Sequence, residues 1–190
     1  MDIFTATFFL ALIFQMIIRA PFDRKRRQEK FRESRFTKQE KLLLSLLASG
    51  LVAPILYAAT HWLDFANYTL PAWAGWLGIV LTAISLLIFW RGHTDLGINW
   101  SPTLAIREQH ILVTRGIYGV IRHPMYASQW IFALAQPLLL HNWIAGFWNL
   151  LVFIPFYLLR VQAEEQLMLE QFGDQYRSYM QKVGAVFPRF

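Results

Sequence analysis

The chain has 190 residues, of which 56% are hydrophobic, and a formal net charge of +6. This apolar fraction exceeds that of ordinary soluble domains, so we expect the chain to fold in a membrane and to contact membrane lipids. The absence of cysteine excludes a disulfide framework, a thiolate metal site and a cysteine nucleophile. The positive charge does not indicate nucleic-acid binding, because the basic residues cluster between apolar runs.

Five apolar runs predict membrane-spanning helices, and they occupy residues 3–18, 42–62, 72–90, 126–140 and 143–159. At a rise of about 1.5 Å per residue, the second and third can cross a hydrocarbon core of about 30 Å, whereas the others are shorter. His141 and Asn142 separate the last two runs, which predicts a tight helical hairpin. We therefore expect an all-α, multi-pass integral membrane protein with about five transmembrane helices.

The distribution of Lys and Arg predicts the orientation of these helices. Positive charge follows the first run and does not precede it, so this run is expected to remain as an anchor and not to be a signal peptide. With five crossings, all 18 Lys and Arg residues fall on one side, at residues 19–41, 91–124 and 160–190. The positive-inside rule then places the N-terminus outside and the C-terminus in the cytosol.

The polar segment 91–124 holds three of the five histidines, and a connection of this length is usually functional or disordered. After the fifth run, apolar residues recur every three or four positions from Val161 to Val183, which is typical of one face of an amphipathic helix. Gly173 interrupts this pattern. Glu165 lies on the apolar face and needs a partner there, whereas Glu164 can face water.

Three stretches together resemble the isoprenylcysteine carboxyl methyltransferase family, which is itself similar to membrane phospholipid methyltransferases. They are HILVTRGIY at residues 110–118, RHPMY at residues 122–126, and the adjacent Glu164 and Glu165. The resemblance covers roughly residues 96–188. It divides the single membrane domain, residues 1–190, into a three-helix portion, residues 1–91, and a methyltransferase core, residues 92–190. Ser128 departs from the family pattern, because such proteins commonly have glycine at this position.

The resemblance implies S-adenosylmethionine as the methyl donor, bound at the cytosolic face, and a lipid-borne acceptor that reaches it from the bilayer. Arg122 is expected to orient an acceptor carboxylate, because a guanidinium can hold a carboxylate at two points. His123 and Glu165 are expected to hold the amino acid end of the donor, and Gly116 to allow a close approach of the backbone. The expected catalytic residues are Arg122 and Glu165, and the expected donor-binding residues are His110, Leu112, Val113, Gly116, Tyr118, His123, Tyr126, Glu164 and Glu165. No spacing of histidines and carboxylates suggests a metal site.

The function that the resemblance implies is carboxyl O-methylation of an isoprenylated cysteine or a related isoprenoid acid. N-methylation of a phospholipid amine is the nearest alternative, and it would require Glu165 or His123 to remove a proton from the ammonium group. A membrane sterol reductase and a small transporter or scaffold are further alternatives. Transport is disfavoured because the apolar runs contain few ionisable residues. Purely structural roles also stay open for Arg122 as a topology charge and for His123 as part of a helix start.

Overall fold

The computed structural model describes residues 2–28, 31–34, 38–97, 105–107 and 111–189. The α-helices in these residues are α1 (Ile3–Gln28), α2 (Lys38–Ser49), α3 (Val52–Ala59), α4 (Ala72–Leu96), α5 (Pro124–Leu140), α6 (Trp143–Phe172) and α7 (Asp174–Lys182). Two short strands, β1 (Phe31–Ser34) and β2 (Ala105–Arg107), pair antiparallel. The fold is helical, as predicted, apart from this two-stranded sheet, which the sequence analysis did not predict.

Within the described residues, four stretches of helix are long and apolar enough to cross a membrane: Ile3–Lys25, Glu40–Ala59, Ala72–Leu96 and Trp143–Phe172. The second of these comprises α2 and α3, which are separated at Gly50 and Leu51. The fourth predicted run forms α5, which has 17 residues and is shorter than the other stretches. Large apolar side chains are exposed along the outer faces, for example Ile17 and Leu87, each with 58% of its surface exposed. Such surfaces suit lipid and not water.

Three helices are longer than the apolar runs that predicted them. α1 continues beyond residue 18 into the basic stretch, and α4 continues beyond residue 90 into the polar segment. α6 joins the fifth run to the first part of the amphipathic stretch in one helix of 30 residues. Charged residues such as Lys, Arg and Glu are good helix formers, so the end of an apolar run does not end a helix. α4 and α6 end instead at Gly97 and Gly173, whose φ angles are +59° and +52°.

The predicted hairpin of α5 and α6 is confirmed. Asn142 caps α6, because its Oδ1 accepts hydrogen bonds from the backbone N–H groups of Ile144 (3.1 Å) and Ala145 (2.9 Å). The two helices approach closely at Gly146, where a Cβ atom would lie 2.8 Å from Cα of Pro137. α5 also packs against α1 and α4, so it is the central helix of the bundle.

The segment before α5 is held by the C-terminal segment of the chain. The backbone N–H groups of Arg122 and His123 donate to the carbonyls of Gly184 (2.8 Å) and Ala185 (2.9 Å). These bonds bring the start of α5, the far end of α6 and the residues after α7 to one end of the bundle. The side chains of that end form the candidate site.

Candidate active site

Three of the predicted site residues meet at a single carboxylate oxygen. Oε1 of Glu165 accepts hydrogen bonds from Nη2 of Arg122 at 2.7 Å, from Nε of Arg122 at 3.2 Å and from Nε2 of His123 at 2.9 Å. Arg122 and His123 come from the turn before α5, and Glu165 comes from α6. Glu165 therefore has the partners that a carboxylate on an apolar helix face requires. The structure thus brings the two predicted catalytic residues into direct contact.

The guanidinium of Arg122 is engaged with groups of this chain. Besides Glu165, it donates from Nη1 to the carbonyls of Met180 (3.3 Å) and Val183. Only 9% of the side chain is exposed. The sequence analysis expected this guanidinium to hold an acceptor carboxylate at two points. In this structure, two of its nitrogens donate to Glu165 instead. A direct role of Arg122 in orienting the acceptor stays a prediction.

Glu164 keeps 32% of its side chain exposed and also contacts residues of the site. Its Oε2 accepts a hydrogen bond of 2.7 Å from the hydroxyl of Tyr126, and its Oε1 lies 4.0 Å from Nδ1 of His123. Consecutive helical residues point about 100° apart, so one of the two glutamates was expected to point away from the core. The start of α5 lies beside both side chains, because ring nitrogens of His123 are 2.9 Å from Oε1 of Glu165 and 4.0 Å from Oε1 of Glu164. Glu164 and Glu165 therefore belong to the same site.

Gly116 has a different neighbour from the one expected. It adopts a φ of +61°, and a Cβ atom at this position would lie 2.6 Å from Cγ of Asp95. Asp95, at the end of α4, accepts a hydrogen bond of 2.8 Å from the backbone N–H of Ile117. This carboxylate caps the 3-10 helix Gly116–Gly119, so the glycine permits close packing on Asp95.

A cavity of about 620 Å³ connects the site with the interior of the helix bundle. The predicted site residues that line it are Leu112, Val113, Tyr118, Arg122, His123, Tyr126 and Glu164. Gly116 and Glu165 are close to the cavity wall and are not part of its lining. His110 lies outside the described residues.

The two ends of the cavity differ in chemistry. The end near the start of α5 carries the charged and hydroxyl groups described above. Farther along α5, the cavity passes Phe132 and has a mainly apolar wall that includes Leu44 and Leu47 of α2 and Phe153 of α6. The polar side chains in this part of the lining include Gln129, Gln136 and Asn149. Its volume is typical of sites for small molecules. The shape therefore suits a ligand with a polar group at one end and a hydrocarbon chain at the other.

Neutral tyrosine rings form part of the wall at the polar end. Burial raises the pKa of Tyr118 well above its ordinary value, and burial raises the pKa of Tyr179 to about 12 in spite of the opposing charge of Arg122. The hydroxyl of Tyr179 donates to the backbone carbonyl of Tyr118. Both hydroxyls therefore stay protonated near neutral pH, and the rings offer uncharged faces that attract a cation.

Several residues of the site were missed by the sequence analysis. Arg160 donates from Nε to the hydroxyl of Tyr126 at 3.1 Å, and its Nη1 is paired with Oε1 of Glu40. Arg160 lies one helical turn before Glu164, a spacing that could have drawn attention to it. Glu40 and Asp95 gave no comparable signal, because each reaches the site only through the tertiary fold. Tyr179 lies on the predicted apolar helix face, and the sequence analysis expected no role for it in the site.

Comparison with known proteins matches residues 76–170 to the isoprenylcysteine carboxyl methyltransferase (ICMT) family. The chain is 38% identical over 81 residues to the protein-S-isoprenylcysteine O-methyltransferase of Schizosaccharomyces pombe, a match that covers 43% of this chain and 34% of that protein. It is 25% identical over 157 residues to protein-S-isoprenylcysteine O-methyltransferase B of Arabidopsis thaliana, covering 82% and 80% of the two chains.

The fold is similar to a solved structure of the eukaryotic intramembrane Ras methyltransferase ICMT. The TM-score is 0.55 at 23% sequence identity, and the match covers 80% of this chain and 53% of the solved one. This chain thus spans only about half the length of the solved protein and about a third of the S. pombe protein.

Proposed function

Since the chain belongs to the isoprenylcysteine carboxyl methyltransferase family, we propose that it transfers a methyl group from S-adenosylmethionine to a lipid-borne carboxylate in the membrane. The acceptor is an isoprenylated cysteine or a related isoprenoid acid. One observation carries this proposal: a single cavity joins the cluster of Arg122, His123 and Glu164 to an apolar channel between membrane helices. A soluble substrate would not require the channel.

The polar end of the cavity fits the donor. When bound, S-adenosylmethionine supplies an electrophilic methyl group on a positively charged sulfur. Glu164 offers a carboxylate to the positive charges of such a molecule, and the neutral rings of Tyr118 and Tyr126 offer faces to the sulfonium. Leu112 and Val113 give an apolar wall against which an adenine ring can lie. His123 and Glu165 lie next to this space, and Nδ1 of His123 is 4.0 Å from Oε1 of Glu164.

The acceptor needs no general base from the protein. A free carboxyl group has a pKa of about 3.3 to 3.7 and is ionised at neutral pH, so it is a nucleophile without further proton transfer. The task of the site is to align the carboxylate oxygen, the methyl carbon and the sulfur and to exclude water. Alignment alone can contribute roughly 7 to 11 kcal/mol in favourable intramolecular reactions. Arg122 lines the polar end of the cavity, and its hydrogen bonds to Glu165 fix its direction.

We also propose that the helices cross the membrane five times, with the N-terminus outside and the site on the cytosolic side. The segregation of all 18 Lys and Arg residues supports this orientation. The 17 residues of α5 extend over about 26 Å, so the flanking residues complete its crossing of a core of about 30 Å. Residues 92–190 form the catalytic core in this proposal, and residues 1–91 supply helices that enclose the cavity.

Two measurements on the purified protein in detergent test the function. Calorimetric titration with S-adenosylhomocysteine is expected to show saturable binding, and the absence of binding would exclude the methyltransferase class. A farnesylated cysteine analogue and phosphatidylethanolamine are then compared as acceptors of a labelled methyl group. Base-labile label on the first indicates an ester. Base-stable label confined to the second would replace the proposal with phospholipid N-methylation.

A further inference from the structure

A chain of polar contacts runs from α2 through α6 and α5 to the donor end of the cavity. Glu40, near the start of α2, is paired with Nη1 of Arg160. Nε of Arg160 donates to the hydroxyl oxygen of Tyr126 at 3.1 Å, and this hydroxyl donates to Oε2 of Glu164 at 2.7 Å. The chain therefore ends on a carboxylate that lines the cavity.

Stability alone does not account for the ion pair at the start of this chain. Glu40 and Arg160 are 2% and 5% exposed, and both belong to helix stretches that are apolar enough to span a membrane. Removing two charges from water is costly, and well-packed apolar residues commonly serve stability equally well. Both lie at the cytosolic ends of the apolar parts of those stretches in the proposed orientation, where water is available to each charge, yet both are buried inside the protein.

The chemistry of the donors fixes the direction of the hydrogen bonds. A guanidinium can only donate, so the hydroxyl oxygen of Tyr126 must act as the acceptor of the bond from Arg160. The single proton of that hydroxyl is then directed at Glu164, because an ionised carboxylate can only accept. Arg160 thus sets the direction in which the Tyr126 hydroxyl points.

We propose that Arg160 is a positioning residue for donor binding, which acts through Tyr126 to hold the Glu164 carboxylate in place, and that Glu40 holds Arg160. This inference rests on the proposed function, since Glu164 is taken to face the donor. α2 also supplies Leu44 and Leu47 to the apolar part of the cavity. The same helix that walls the acceptor channel therefore anchors the group that orients the donor site.

The test replaces both members of the pair, because Arg160→Gln alone would remove one member of a buried ion pair while the charge of Glu40 stays in place, which impairs folding. The variant Glu40→Gln/Arg160→Gln keeps a polar side chain at each position and removes both charges. We expect its dissociation constant for S-adenosylhomocysteine to rise about tenfold. The KM for the donor is expected to rise in parallel, whereas kcat at saturating donor changes little.

A double-mutant cycle separates positioning from a structural role. Tyr126→Phe is expected to weaken binding of S-adenosylhomocysteine about as much as the paired variant does, and combining all three substitutions is expected to add little. Ser85→Ala is the control, because it removes a buried hydrogen bond of 2.9 Å to the carbonyl of Ser128 without touching Glu164. It is expected to lower thermal stability without raising the dissociation constant.

Three results would overturn the inference. Unchanged affinity in the folded paired variant would show that the ion pair does not act on the donor site. Losses that multiply with that of Tyr126→Phe would show that Arg160 does not act through the hydroxyl. If the unmodified protein binds no S-adenosylhomocysteine, the proposed function fails together with the inference, which distinguishes that case from the other two.

Discussion

Arg122 and Glu165 are joined through one oxygen atom, because both Nε and Nη2 of the guanidinium donate to Oε1 of the carboxylate. The same oxygen accepts a bond from His123. Residues that share one acceptor act as a unit, so the effects of their substitutions should not add. The pair also ties the start of α5 to α6 at the polar end of the cavity.

Arg122→Lys is expected to weaken donor binding as well as turnover. A lysine keeps the charge, but its single ammonium group cannot hold Glu165 and the carbonyls of Met180 and Val183 in the same geometry. Loss of one charge-assisted hydrogen bond at about 1.5 to 3 kcal/mol corresponds to roughly ten- to a hundredfold in affinity. Titration with S-adenosylhomocysteine measures the first effect and kcat the second. A fall in kcat with unchanged donor affinity would instead assign Arg122 to the acceptor, as the sequence predicted.

Glu164→Gln and Glu165→Gln are both expected to weaken donor binding. Glu164 lines the cavity and accepts from Tyr126, whereas Glu165 holds Arg122 and His123. We expect roughly ten- to a hundredfold for each, from the loss of a charged hydrogen-bond partner. Glu170→Gln is the matched control, since Glu170 is exposed on the same helix. Wild-type affinity in both folded site variants would remove the two glutamates from the donor site.

Gly116→Ala is expected to destabilise the protein more than Gly97→Ala. Both glycines have positive φ angles, +61° and +59°, so each substitution incurs backbone strain of about 1 to 2 kcal/mol. Among the residues that the structure describes, none lies within 4 Å of a Cβ atom at Gly97, whereas one at Gly116 collides with the Asp95 carboxylate. Thermal unfolding in detergent gives the two shifts. Equal shifts would mean that the loop moves away from Asp95 at no cost.

The local features of the fold were predictable from the sequence, and the long-range ones were not. The hairpin follows from two apolar runs separated by His141 and Asn142, and the break at Gly173 follows from the flexibility of glycine. The family motif predicted that Arg122, His123 and Glu165 belong to one site. Hydrophobicity marks segments suited to a membrane, so it located the long helices well.

Hydrophobicity gives no information on which buried polar groups pair with one another. Glu40 and Arg160 are 120 positions apart in the sequence, and Asp95 reaches Ile117 over 22 positions. Helical periodicity also left Glu164 free to face water, because the pattern of a single helix does not show which residues of other helices lie beside it. The Tyr126 hydroxyl supplies the partner that the pattern omitted.

Cysteine labelling tests the proposed orientation, and the cysteine-free chain makes single substitutions informative. Thr69, in the connection before α4, and Gln181, near the end of α7, are both exposed, and the charge distribution places them on opposite sides of the membrane. In intact cells, an impermeant thiol reagent is expected to modify Thr69→Cys and not Gln181→Cys. Permeabilised cells serve as the control, because both positions should then react. Labelling of position 181 alone in intact cells would reverse the orientation.

The pH dependence of the reaction identifies the class of acceptor. A carboxylate acceptor is fully ionised above about pH 5.5, so the rate with a farnesylated cysteine analogue should be nearly flat from about pH 6.5 to 8.5. The buried tyrosine at position 179, with its pKa raised to about 12, keeps its proton throughout this range and adds no slope. An amine acceptor must lose a proton first, so its methylation would rise with pH across the same window. The measurement uses labelled donor at saturating concentration, with thermal unfolding at each pH to confirm that the protein stays folded. A rate that climbs steadily with pH in folded protein would contradict carboxyl methylation, because the carboxylate acceptor is already fully ionised at the start of this range.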